Sequence, residues 1–291
     1  MSWRVVVVSS QAKLDYKMDY LVVRTVDEVK RIHLSEIAVL MVENTAVSLT
    51  AYLLCELNSR KIKVVFCDHE RNPCAELTPL HGSHDSSAKI RQQLRWPDNV
   101  KQNVWTEIVR QKIRLQRDLL CSRGLPQAEL LDRYLTELQL NDATNREGHA
   151  AKVYFNALFG LSFTRTQESP VNAALNYGYS LMLSTVNREI SAAGYLNQLG
   201  LFHENTYNPY NLGCDFMEPL RPLVDSMVSK LRPEQFEKDE KLQMLRILQT
   251  DVLYDDKTQV LLYAIRLYVN SLLRALQSGD PAEIRWIEYE W

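Results

Sequence analysis

The chain has 291 residues, 46% of them hydrophobic and 24% charged, and a formal net charge of −2. That composition is ordinary for a soluble globular protein, and the length is large for one core, so two domains are expected. The most apolar run near the start, Val5 to Val8, is too short for a signal core or a membrane helix, and the near-neutral charge excludes a uniformly basic nucleic-acid binder.

In chain order, Trp3 to Val8, Tyr20 to Arg24 and Ile37 to Val42 are rich in β-branched and aromatic residues and are expected as strands between short polar turns. Val47 to Asn58 carries a helical pattern, and Ile62 to Cys67 returns to strand before a turn at residues 71–73. The segment 81–87, HGSHDSS, is small and polar without periodicity, as a linker is. Helical spacing then dominates, through Ile108, Ile113, Leu119 and Leu120, then Leu130, Leu131, Leu135 and Leu138, then Val153, Leu158 and Phe159. Ser169-Pro170 reads as an N-cap followed by proline at the first helical position, opening a long helix that Gly194 ends. Residues 205–213, NTYNPYNLG, read as loop, and two more helices, Lys241 to Leu253 and Thr258 to Leu276, precede the tail. The expected fold class is α+β: a small, mostly β domain over residues 1–80, the linker 81–87, and a larger all-α domain over 88–291.

Five cysteines without a Cys-x-x-Cys pair indicate neither a disulfide framework nor a zinc knuckle, and a reducing cytoplasm is the expected setting. From Lys89 to Arg123 nine basic residues stand against three acidic ones. Arg110, Lys112, Arg114 and Arg117 lie here, with Trp96 and Trp105 nearby, and aromatics among arginines recur on nucleic-acid surfaces. The solvated face of a helix is the competing reading.

Three side chains far apart in sequence carry the chemistry: Glu147 in NREGHAA, His203 in GLFHENTY and Glu218 in CDFMEPLRP. Two carboxylates and an imidazole are a ligand set for a divalent metal that works on phosphate. Each has a simpler reading. Thr144-x-x-Glu147 fits a capping box, Asp215 with Glu218 fits a helix start complicated by Pro219 and Pro222, and His203 fits a plain loop histidine. Asn172 and Asn176, with Tyr177 and Tyr179, place polar groups in an apolar helix and suggest support for a site or a satisfied core network.

Five blocks in order, VENTAVSLT, EGHAAKVYF, NAALNYGY, GLFHE and DFMEPLRPLVD, resemble the metal-dependent integrase of CRISPR spacer acquisition, a CRISPR-associated endonuclease. The MSWR start and NREGHAAKVYFNALFG are most similar to its type II-A branch. The resemblance implies that Glu147, His203 and Glu218 bind Mn²⁺ or Mg²⁺, with Asp215 a supporting carboxylate. It implies attack by the 3′-hydroxyl of a captured DNA fragment on a repeat phosphodiester. Also implied are a homodimer joined through the β domains and a heterohexamer with a small ferredoxin-fold adaptation protein, along with double-stranded DNA fragments, repeat DNA, and type II-A effector and accessory proteins as partners. A non-catalytic DNA-binding scaffold and a plain metal-dependent nuclease are the alternatives.

Overall fold

The computed structural model describes residues 4–77 and 83–291. Trp3 of the first expected strand and the first two residues of the expected linker lie outside them. The chain divides into two compact units, Met1–His84 and Asp85–Trp291.

The first unit holds strands β1 (Arg4–Val8), β2 (Lys13–Lys17), β3 (Tyr20–Arg24), β4 (Val29–His33), β5 (Ile37–Val42) and β6 (Ser48–Leu49), helix α1 (Ala51–Ser59), and strands β7 (Lys63–Cys67) and β8 (Pro73–Leu77). One sheet runs β1-β5-β7-β8 and the other β4-β3-β2-β6. β5 pairs in parallel with both β1 and β7 and is buried at all six positions, which is why it reads as an unbroken apolar run. Leu14, Leu21, Leu40, Leu53, Leu57 and Val64 form the core. β2 (KLDYK) and β4 (VKRIH) carry too much charge to stand out as apolar segments. They are specified instead by pairing on either side of β3, with a tight turn at Met18 and Asp19, both at positive φ. α1 starts four residues later than the pattern predicts because Ser48 and Leu49 pair with β2, and the Thr50 hydroxyl then accepts from the Leu53 N–H.

The second unit holds α2 (Ser86–Gln93), α3 (Asp98–Ser122), α4 (Ala128–Glu137), α5 (Arg146–Phe159), α6 (Pro170–Ala192), α7 (Asn211–Met217), α8 (Arg221–Leu231), α9 (Lys238–Leu245), the strands β9 (Asp251–Tyr254) and β10 (Lys257–Val260), and α10 (Leu261–Ser278). α3 packs against α4, α5, α8 and α10, burying Trp105, Ile108, Val109, Ile113, Leu119 and Leu120. The Ser169 hydroxyl accepts from the Asn172 N–H at 3.2 Å and Pro170 opens α6, as the sequence signal predicts.

The fold class is α+β, with one departure from an all-α second part. β9 and β10 form an antiparallel hairpin, so the expected helix Lys241 to Leu253 stops at Leu245 and the last long helix begins at Leu261 rather than Thr258. Val252 and Tyr254 are buried while Asp251 is exposed, a period of two inside a stretch rich in helix formers. Asp255 and Asp256, both at positive φ, make the turn. Leu253 also pairs with Glu288 of the C-terminal tail.

Because α6 starts on one hydroxyl cap, Ser169→Ala is expected to cost about 1 kcal/mol, read as a lower urea midpoint with an unchanged slope.

Candidate active site

Glu147 is the second residue of α5. The helix start is served by others: the Asn145 side chain, on a residue at φ 52°, accepts from the Gly148 N–H, and Asp142 accepts from the N–H groups of Arg146 and Glu147 at 2.7 and 3.0 Å. Thr144 Oγ1 has no partner, so the Thr144–Glu147 capping box does not form. The Glu147 carboxylate reaches away from its own backbone to Lys112 Nζ of α3, at 2.5 Å.

Glu218 opens a single tight turn, Glu218–Leu220, between α7 and α8. Pro219 and Pro222 occupy first-turn positions, where no N–H is required, so neither breaks a helix. Its Oε2 also takes Lys112 Nζ at 2.5 Å, and its Oε1 takes Arg221 Nε at 2.8 Å. Burial alone would raise this acid; the Arg221 and Lys112 cations overcome that and hold it down at about 2. Burial likewise pushes the Lys112 ammonium down, and the Glu218 and Glu147 carboxylates reverse the sign and raise it. Behind the turn, Tyr268 Oη donates to the Phe216 carbonyl at 2.9 Å and Tyr289 Oη to the Pro219 carbonyl at 3.5 Å.

His203 is fixed by Asp215, which is fully buried inside α7. The Asp215 carboxylate accepts from the N–H groups of Leu201, Phe202 and His203 at 2.6, 3.2 and 3.3 Å, and lies 2.5 Å from His203 Nδ1. One carboxylate therefore shapes the loop and orients the ring, leaving Nε2 for other work. Its hydrogen bond to Asp215 raises the imidazole pKa against the opposing effect of burial, and the Glu218 and Glu147 charges raise it further. Phe202 stacks on buried Trp105 with centroids 4.7 Å apart, and Trp105 meets His203 edge-on. Gly200 is needed here, because a Cβ would stand 2.2 Å from the His203 carbonyl oxygen and 2.9 Å from Asp215 Oδ2.

Among the described residues, no three His, Cys, Asp or Glu side chains stand close enough together to form a ready-made metal cluster. What Glu147 and Glu218 share is a cation, the Lys112 ammonium, so the donor chemistry suits a positive ion and a stand-in already sits between the two carboxylates.

The family model for the CRISPR associated protein Cas1 matches residues 5–249. The chain belongs to the Cas1 family. It is 37% identical over 232 residues to a CRISPR-associated endonuclease Cas1 of Neisseria meningitidis serogroup C, covering 79% of this chain and 76% of that one. In fold it is similar to a casposase bound to integration product, with TM-score 0.76, 17% identity and coverage of 96% and 91%. It is similar also to a Cas6-RT-Cas1–Cas2 complex, with TM-score 0.74 and 18% identity, where 99% of this chain spans 36% of the larger one.

The remaining expected residues divide in this Cas1-family chain. Asn172 and Asn176 share one face of α6, and their side-chain carbonyls accept from the guanidinium of Arg165. Tyr177 turns elsewhere, edge-on to Phe236 with centroids 5.5 Å apart. The tyrosine that reaches the site from this block is Tyr179, whose hydroxyl donates to buried Asp225, as does that of Tyr154 at 3.0 Å. Lys112, expected on a DNA-binding face, is only 7% exposed because it falls on the buried stripe of α3. Arg110, Arg114 and Arg117 remain at the surface, bonded to Glu107, Gln111, and Asp118 with Asp132. Arg221 and Arg165 carry no sequence signal of their own. A cavity of about 230 Å³ joins Lys112, Glu147, Glu218, Arg221, Arg165 and Asp225. A larger one, of about 680 Å³, is lined by His203 with Trp96 and Tyr207.

Burial raises the Asp225 carboxyl from 3.8 to about 6, more than the Tyr179 and Tyr154 hydrogen bonds lower it. The folded protein then holds a proton that the unfolded chain has lost, so this group's stabilisation is full below pH ~4 and disappears as pH rises through ~6. In EDTA, wild type should lose stability relative to Asp225→Asn between pH 4.5 and 6.5, by on the order of 2 kcal/mol in differential denaturation. Parallel pH profiles of the two proteins would contradict this.

Proposed function

We propose that this chain is a metal-dependent DNA endonuclease and integrase that inserts captured foreign DNA fragments into a CRISPR array as new spacers. The observation carrying this reading is the convergence of Glu147 and Glu218, from separate segments, on one buried cation, with His203 oriented by Asp215. The printed names of its relatives, an endonuclease and a casposase bound to integration product, support the same chemistry.

In this reading Glu147, Glu218 and His203 hold Mn²⁺ or Mg²⁺. The imidazole nitrogen favours Mn²⁺. The bound ion supplies Lewis-acid stabilisation of the phosphate and lowers the pKa of the attacking 3′-hydroxyl. The chain's own groups prepare for it. Arg221 and Lys112 keep Glu218 ionised at any working pH, and Asp215 holds Nδ1 of His203 so that Nε2 is the nitrogen presented. Lys112 competes with the metal for the same two carboxylates.

Arg110, Arg114 and Arg117 are proposed to contact DNA phosphates, and Asp215, Asn172 and Asn176 to support the site. Further proposals are homodimerisation through the β domain of residues 1–80, and a heterohexamer with a small ferredoxin-fold partner; the name of the solved Cas6-RT-Cas1–Cas2 complex supports a Cas2 partner. The type II-A subtype and a cytoplasmic setting belong to the same reading. Among the described residues no helix is long and apolar enough to cross a membrane.

Glu147→Ala, His203→Ala and Glu218→Ala should each lower strand transfer by the purified protein and its partner at least ~100-fold in Mn²⁺ while duplex binding persists. Wild-type transfer by Glu147→Ala would sink the assignment. Replacing Arg110, Arg114 and Arg117 by Gln should make log Kd against log salt shallower by roughly one per lost phosphate contact. An unchanged slope would make them solvated surface.

A further inference from the structure

Most charges in the small cavity are balanced. Lys112 sits on Glu147 and Glu218, Arg221 sits on Glu218, and Asp225 is taken by two tyrosine hydroxyls. Arg165 is different. Its guanidinium bonds only to neutral acceptors, Oδ1 of Asn172 and Oδ1 of Asn176, on successive turns of α6, and lies 5.9 and 5.2 Å from the ring centroids of Phe155 and Tyr179. Among the described residues it has no carboxylate partner. The Asn172 amide is itself locked, its Nδ2 donating to the carbonyls of Thr164 and Gln167 at 2.8 Å each, so the acceptor cannot flip away. Arg221 stands over the same Tyr179 ring, at 4.6 Å, and lines the same cavity.

We propose that Arg165 is a phosphodiester-binding residue of this cavity, held by Asn172 and Asn176 as an uncompensated, pre-oriented cation that takes a non-bridging oxygen of the DNA backbone entering beside Glu147 and Glu218. This rests on the proposed nucleic-acid chemistry of the same cavity. A guanidinium has five N–H donors in a rigid fork, and two acceptors leave the others for a phosphate. An aspartate at position 176 would hold Arg165 at least as well by forming an ion pair; the amide holds the fork in place without cancelling its charge. The cavity, about 230 Å³, has room for a phosphodiester group.

The competing role is a staple that pins the loop 160–169 to α6, and Asn176→Asp separates the two. That change strengthens a staple and cancels the charge. Full-length wild type, Arg165→Gln and Asn176→Asp would be titrated with duplex DNA in EDTA across a salt series, with melting temperatures and Mn²⁺ affinity by electron paramagnetic resonance alongside. Arg165→Gln should bind about tenfold more weakly, with a salt slope shallower by about one. Asn176→Asp should lose affinity in the same direction with an unchanged or higher melting temperature, and should add little to the loss in an Arg165→Gln background. Mn²⁺ affinity should be unchanged in all. Wild-type DNA affinity and slope in Asn176→Asp, with Arg165→Gln lowering only the melting temperature, would overturn the proposal. That failure would leave Glu147-dependent strand transfer standing, whereas transfer that survives Glu147→Ala would defeat the functional reading without touching Arg165.

Discussion

A buried ammonium has to be neutralised, and the helical unit is organised around meeting that requirement at Lys112. Removing one partner of such a pair costs about 3–5 kcal/mol, because the other charge is left without water or counter-ion. Lys112 draws Glu147 from the start of α5 and Glu218 from the turn between α7 and α8 to one point on α3. Glu218 in turn anchors Arg221, which lies over Tyr179, and Tyr179 shares Asp225 with Tyr154. The chain of partners is continuous from α3 through α8 to α6. The positions of three charged groups are thus settled by a single electrostatic demand rather than by three separate packing contacts.

His203 obeys a second, independent constraint. Its loop is held by backbone donors converging on Asp215, an arrangement that requires a glycine at 200 and needs nothing from Lys112. The two subsystems meet at Trp105 of α3, which packs on Phe202 and His203, and through the field of the carboxylates, which raises the imidazole pKa. The carboxylate pair is tied down by the Lys112 ammonium, while the imidazole is oriented by a partner on its Nδ1. Such a division keeps a cluster of like-charged acids from repelling itself apart.

The general architecture was legible wherever one periodicity dominates: β5 as an unbroken apolar run, α6 from its Ser-Pro start. Strands β2 and β4 were not, because their stability comes from pairing with β3 rather than from their own hydrophobicity. β9 was lost among helix-forming residues, since neither Asp255 nor Asp256 announces a hairpin as Asn-Gly would. At the site, sequence could name Glu147 and Glu218 but not say where their carboxylates point; that depends on Asn145 and Asp142 having already satisfied the helix start. Tyr177 against Tyr179 was decidable: residues 172, 176 and 179 share a face at helical spacing, and 177 does not. The role of Lys112 left one trace, a lysine on a mostly apolar stripe. Arg165 left none, lying in an irregular loop where no period says which way a side chain turns.

The hydroxyls of Tyr268 and Tyr289 brace the carbonyls on either side of Glu218, yet both tyrosines lie beyond residue 249, where the match to the Cas1 family model stops. The recognisable family segment and the mechanically complete site are therefore different objects. A chimera cut at the edge of the family match would transplant every charged residue of the site and leave two backbone acceptors unbraced behind its central acid. Recombination between relatives is safer at the junction between the two units, after His84, than anywhere between the Glu218 turn and the tail that supports it.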